Sequence, residues 1–196
     1  MIKYLTLMGA FFTSSLFGQT KSGDWSLGLT SDYVNFEGFS PKYAVGVTGE
    51  FMLGKRLGVE SSIAAGKNYF HVGTGIIFVP LGLLLSKADS ENGFLVLLLT
   101  AAALFEHTNY HIPISSNFEV IPFVSLLRIR YLYDEGHPYN QDIFPSWSVG
   151  AKLSFVTKNN WYVNATVEGG QFYYPDLPKG IQSGLNIGYI FRSQNQ

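Results

Sequence analysis

The residues best equipped for chemistry lie together in EHTNYHIPISSNFE, a short run that gathers Glu106, His107, His111, Ser115, Ser116 and Glu119. A serine hydrolase needs these types: a hydroxyl nucleophile, an imidazole to take its proton and a carboxylate to orient the imidazole. His111, Ser115 and Glu119 are the residues that would carry such a reaction here. Their spacing argues against it, because Ser115 falls in a predicted turn, Ser115-Ser116-Asn117, while His111 belongs to the extended run before it. A shared metal is no better served: at about 3.3 Å per residue, His107 and His111 share one face of a strand but stand about 13 Å apart, too far to bind one ion. The histidines are therefore read as surface or lumen side chains, with no catalytic residue, metal or cofactor expected. No phosphate loop, zinc signature or dinucleotide fingerprint is present.

The elements that carry these residues follow a period of two, the strand signature in which neighbouring side chains face opposite sides. In PSWSVGAKLSFVT, Trp147, Val149, Ala151, Leu153 and Phe155 form one face and Ser148, Gly150, Lys152 and Ser154 the other. After Lys158-Asn159-Asn160 the next run sets Trp161, Val163, Ala165 and Val167 against Tyr162, Asn164, Thr166 and Glu168, as a hairpin should. Trp25 to Tyr33, Tyr43 to Leu53, Leu57 to Gly66 and Ile181 to Phe191 alternate in the same way. Most of these runs reach about ten residues, close to what a tilted strand needs to cross a bilayer. Aromatic residues bracket aliphatic ones on one face, as Trp25 and Tyr33, Tyr43 and Phe51, and Trp147 and Phe155 do. Rings at both ends of an apolar band are what two membrane interfaces select. The expected fold is all-β: an antiparallel up-and-down transmembrane β-barrel of roughly eight to ten strands, apolar face to lipid and polar face to the lumen.

That orientation decides what the charged residues do. In EVIPFVSLLRIRYLY, Ile121, Phe123, Leu127, Ile129, Tyr131 and Tyr133 take the lipid-facing parity, which sends Arg128 and Arg130 inward. Glu50 and Glu60 share the inward parity on their own strands. Charges enclosed in a narrow lumen must be paired, because an isolated desolvated ion is costly. Arg128, Arg130, Glu50 and Glu60 are thus expected to form a lumen charge cluster that plugs the barrel, rather than a constriction that selects ions.

Composition closes off other classes. The 196 residues carry 13 Lys and Arg against 14 Asp and Glu, a net charge of −1, so there is no basic stripe for nucleic acid. Without cysteine there are no disulfides and no thiolate metal sites. Lys3 followed by YLTLMGAFFTSSLFG fits a secretory signal peptide over residues 1–18, with cleavage after Gly18 and a single barrel domain over 19–196.

Residues 70–105 resist the alternation. FVPLGLLL, the polar break SKADSEN and GFLVLLLTAAALF have no clean face, and 93–105 reads as either a short apolar helix or a strand. The short turns at Gly54-Lys55-Arg56, Ser115-Ser116-Asn117 and Lys158-Asn159-Asn160 should lie on the periplasmic side and the longer EGFSPK, DEGHPYNQDIFP and YPDLPKG outside. Tracing the chain under that constraint uses 93–106 as an ascending strand and gives about ten strands, whereas a helix there gives about eight.

FVPLGLLL and EVIPFVSLLRIRYLY, with the signal peptide and the aromatic final strand, resemble the small outer-membrane β-barrel domain proteins abundant in Bacteroidota. The likeness covers about residues 22–192, and it departs from such barrels where Phe191, the aromatic residue that often ends them, is followed by RSQNQ. The resemblance implies a Gram-negative outer-membrane location, contact with outer-membrane lipids and lipopolysaccharide, and insertion by the barrel-assembly machinery. It implies no specific activity. Barrel enzymes that deacylate lipid A carry a close His-x-Ser-Asn pattern, which His111 and Ser115 do not reproduce. The functional expectation is a non-catalytic barrel that is structural or contacts a ligand through its extracellular loops. A small channel for hydrophobic compounds is the alternative, and a lipid A-modifying hydrolase the second.

Overall fold

The computed structural model describes residues 21–73, 106–135, 142–173 and 179–193. The expected signal peptide over 1–18, the apolar segment 93–105 and parts of the loops DEGHPYNQDIFP and YPDLPKG, residues 136–141 and 174–178, lie outside them. The alternating runs form strands β1 (Trp25–Phe36), β2 (Lys42–Met52), β3 (Leu57–Gly66), β4 (Tyr69–Gly73), β5 (His107–Tyr110), β6 (Ile112–Pro113), β7 (Phe118–Leu132), β8 (Asp142–Val156), β9 (Trp161–Phe172) and β10 (Lys179–Phe191). All pair antiparallel, and the circuit closes: β1 bonds β10 on one side and β2 on the other, and β2 bonds β3.

Eight staves make the wall, because β4, β5 and β6 share one. β4 pairs with Ile63–Gly66 of β3 and β5 with Leu57–Glu60, so only Ser61 and Ser62 separate the two pairings. The same three pieces line up along β7. Gly73 and His107, on either side of residues 74–105, thus belong to neighbouring rungs of a single stave, and the described strands close the wall. The eight staves fall within the expected eight to ten, and the expected strand or helix at 93–105 lies outside the described residues.

Local chemistry sets the turns. Asn160 takes φ 64° in the β8–β9 turn and Asn68 takes φ 61° in the two-residue β3–β4 turn, a left-handed conformation that asparagine tolerates. The turns at Gly54, Ser115 and Lys158 share one end of the barrel, where His111 N–H donates to the Arg56 carbonyl and Val156 N–H to the Asn117 carbonyl. Lys67-Asn68 is a short turn at the other end, an exception to the expected sorting by length.

The faces fall inside out relative to a soluble protein. Leu153, Val163 and Ile187, which a dry shared core would bury, are 50%, 43% and 52% exposed on the outer wall. Arg128 and Arg130 are 1% and 2% exposed inside it. Trp25 stacks on Phe191 at 3.9 Å and Trp161 meets Tyr189 edge-on at the turn end, while Tyr33 and Tyr43 pair at the loop end. From Trp25 to Tyr33 the apolar band rises about 20 Å along the axis, given roughly 3.3 Å per residue and a tilt near 40°. That height approaches the band of about 25 Å that such barrels present to lipid.

One parity reading is overturned. Ile121 and Phe123 are 2% and 4% exposed and point into the lumen, while Val124 and Leu126 face out. The cause is a bulge between Ser125 and Arg128, where the register against β8 shifts. Two successive leucines in SLLR absorb the extra residue, so a face counted back from Arg128 changes side below it.

Candidate functional site

The lumen is built in layers. At the loop end Phe36, Phe144 and Phe172 pack together with Val34 and Leu132, and at the turn end Val156, Tyr162 and Ile190 form a smaller apolar cluster. Between them, inward positions of nearly every stave supply polar and charged groups, since each strand sends alternate residues to the axis.

Starting from the turn end, His111 Nδ1 lies 2.7 Å from Glu119 Oε2 and its Nε2 lies 3.0 Å from Glu50 Oε1. Asn109 donates through Nδ2 to Glu50 Oε1 at 2.5 Å and to Glu60 Oε2 at 3.2 Å. Glu60 also pairs with Lys152 and stands 3.2 Å from His107 Nδ1. His107 packs on Phe123 with ring centroids 4.3 Å apart, and Lys152 Nζ sits 5.1 Å above the same ring, so the inward turn of Phe123 supports both.

Above this layer Arg128 pairs with Glu168 and with Glu106 and donates to Gln182 Oε1 at 3.0 Å. Arg130 reaches Glu168 at 3.3 Å, Gln182 at 2.7 Å and Ser146 at 3.0 Å, with its guanidinium over Phe36. A directed chain crosses from here to Glu106. Arg130 Nη1 donates to Tyr69 Oη at 2.8 Å, Tyr69 Oη meets His71 Nδ1 at 3.0 Å, His71 Nε2 meets Ser62 Oγ at 2.9 Å, and Ser62 Oγ donates to Glu106 Oε2 at 2.6 Å. Each donor in that sequence finds one acceptor when His71 is neutral and carries its proton on Nε2. The network is continuous from Glu119 to Arg130, and it leaves a cavity of about 30 Å³, lined by Asp32, Thr48, Lys152 and Asn186 among others.

The expected cluster residues are all luminal, but they do not pair with one another. Arg128 and Arg130 take Glu168 and Glu106, Glu60 takes Lys152, and Glu50 takes His111. Glu106, Glu168, Lys152, His71 and Tyr69 were missed as cluster members. Their inward parity was a signal for Glu168 and Lys152, but which strand lies across the lumen is not readable from alternation.

The hydrolase candidates are not brought together. Ser115 Oγ accepts the N–H groups of Asn117 and Phe118 and serves its turn, while His111 commits both nitrogens to carboxylates. The serine that does meet a histidine is Ser62, and its proton points at Glu106 rather than at His71, the reverse of what nucleophile activation needs. Among the described residues no group of three or more His, Cys, Asp or Glu side chains is arranged to hold a metal ion.

Outside the membrane band, the loop-end rim is tied across the barrel mouth. Asp134 accepts from Ser40 Oγ at 2.6 Å and Ser40 N at 2.5 Å and lies 3.5 Å from Lys42 Nζ. The Ser40 hydroxyl and N–H hold the Asp134 carboxyl below the usual aspartate range.

No protein-family pattern matches the chain, and no curated protein matches it. Solved structures do. The N-terminal β-barrel domain of Pseudomonas aeruginosa OprF aligns with a TM-score of 0.52 at 11% identity, covering 89% of this chain and 99% of that one. The outer membrane protein OprG from Pseudomonas aeruginosa aligns with a TM-score of 0.50 at 10% identity, covering 89% and 99%. At such identities the likeness is one of fold: this chain is similar to small outer-membrane β-barrels in the way its wall closes.

Proposed function

We propose that the chain is a non-catalytic barrel of the Gram-negative outer membrane, with a plugged lumen, acting as a structural element of the envelope or through contacts made by its extracellular loops. The observation that carries this reading is the filled interior: among the described residues the cavity in the charged layer has about 30 Å³, room for only about two waters, and it lies between two apolar clusters. The outward apolar band and its aromatic ends support a home in lipid, and the likeness to OprG supports the outer membrane. Export through residues 1–18, insertion by the barrel-assembly machinery and contact with lipopolysaccharide belong to the same proposal. The rim tie from Ser40 and Lys42 to Asp134 holds the first loop in place, which lowers the ordering cost of a contact made there.

Reconstitution in a planar bilayer tests the plug. No steady current is expected, and a stable conductance step would refute it. Heat-modifiable gel mobility in the outer-membrane fraction tests the location, since a soluble periplasmic barrel would not fractionate there.

A conduit for hydrophobic compounds is the second reading, favoured by the three-piece fourth stave, where β5 shares only two register pairs with β7. Uptake of a hydrophobic tracer without ionic current would favour it over the first. A lipid A-modifying hydrolase draws no support from His111, Ser115 and Glu119 as they stand.

A further inference from the structure

Among the described residues the lumen holds six carboxylates, on Asp32, Glu50, Glu60, Glu106, Glu119 and Glu168, against Arg128, Arg130, Lys152 and the three histidines His71, His107 and His111, while the inward Lys42 is taken by Asp134 at the rim. His71 is neutral in the hydrogen-bond chain above, so even with His107 and His111 counted as imidazolium one negative charge is left over. The pairing identifies it. Every glutamate of the set has a Lys, Arg or His partner, whereas Asp32 accepts one hydrogen bond, from Thr30 Oγ1 at 3.0 Å, and has no ion pair. Asp32 is 7% exposed and borders the cavity of about 30 Å³. Thr48 Oγ1 and Asn186 Oδ1, on residues 4% and 8% exposed, border the same cavity and have no hydrogen-bond partner. The cationic groups on the cavity wall are already turned to other carboxylates: Lys152 and His107 to Glu60, and Arg128 to Glu168 and Glu106.

A void bordered by one uncompensated carboxylate and two idle oxygens, in a layer that lies between two apolar clusters, calls for a positive charge that takes oxygen ligands. Its volume of about 30 Å³ admits one small ion with about one water beside it. A divalent ion wants six or more oxygens and usually several carboxylates, so the set here fits a singly charged ion. We propose that this cavity binds one small monovalent cation of the sodium class, through Asp32, Thr30, Thr48 and Asn186, as the counter-ion that completes the plug. The proposal rests on the plugged-lumen reading, which conductance tests separately.

The test compares unfolding of the full barrel in detergent at pH 8 in sodium chloride and in N-methylglucamine chloride at equal ionic strength, read by loss of the heat-modifiable band. Sodium is expected to raise the midpoint by a few degrees and to saturate, as ligand linkage requires. Asp32→Asn should lose the sodium response, and Thr48→Val should weaken apparent sodium affinity by about tenfold. Asp134→Asn, at the rim, should keep the full response. Sodium-23 line broadening by the wild type, abolished in the Asp32 variant, gives a reading that does not depend on stability. Equal wild-type midpoints in the two salts, meaning that water or a proton fills the cavity, would overturn the proposal. So would a sodium response retained by Asp32→Asn. If Asp32→Asn fails to fold, an unweakened response in Thr48→Val together with no line broadening by the wild type overturns it equally.

Discussion

Replacing Glu168 by Gln is the most demanding trial of the charged plug. Glu168 bridges both arginines, pairing with Arg128 and lying 3.3 Å from Arg130, and also accepts from Ser148 at 2.9 Å. Glutamine keeps the volume but removes the charge, so two buried guanidinium groups are left with Glu106 as the acid paired to Arg128. Breaking a buried ion pair from one side costs about 3–5 kcal/mol, because the remaining charge is desolvated without compensation. At roughly 2–4 °C per kcal/mol for a domain of this size, the midpoint should fall on the order of 10 °C. The comparison variant is Asp134→Asn, which removes a partly exposed rim pair worth about 1 kcal/mol. Adding Arg130→Met to Glu168→Gln should restore much of the loss, since Glu168 is the one acid paired to Arg130 among the described residues and the second change removes the charge the first left stranded. Unfolding of the reconstituted barrel, followed by gel mobility and tryptophan fluorescence, reads all three. Equal midpoints for Glu168→Gln and Asp134→Asn would refute the claim that these charges are dry and mutually dependent.

Other expectations follow from the same geometry. Leu29 sits midway between Trp25 and Tyr33 on the outer wall at 63% exposure, so Leu29→Arg should cost about 2–4 kcal/mol and slow insertion into vesicles, whereas water outside the wall would make the change nearly neutral. Because the Asp134 carboxyl is held below its ordinary value of 3.8, its rim bonds stabilise the barrel above that value and the contribution is lost as pH falls further. Wild type should therefore exceed Asp134→Asn slightly at pH 7 and match it in strong acid, as denaturant midpoints will show. Ser115→Ala should leave lipid A acylation unchanged by mass spectrometry and cost little. His111→Ala should also leave it unchanged but destabilise strongly, since Glu50 and Glu119 lose the imidazole between them.

Much of the wall was legible in the chain because a period of two is local. Trp147 to Phe155, Trp161 to Val167 and Ile181 to Phe191 could be assigned to faces from neighbours alone, and the inward turn of Arg128, Arg130, Glu50 and Glu60 followed. Ile121 and Phe123 could not, because alternation has no memory across a bulge and nothing in SLLR marks which residue is the extra one.

Alternation also could not say who meets whom. Glu60 and Lys152 lie 92 positions apart and Arg128 and Glu168 lie 40 apart, and their pairing depends on strand tilt and closure of the circuit. The eight-stave count was hidden for the same reason: β4 and β5 look like separate strands until β3 and β7 show that they share one stave. By itself the sequence determined strand character, which side of each ribbon is greasy and where the charges point, since these depend on backbone geometry over a few residues. Only the tertiary structure decided the ion-pair partners, the idle carboxylate of Asp32 and the small void beside it, because those depend on how closing the sheet brings opposite walls together.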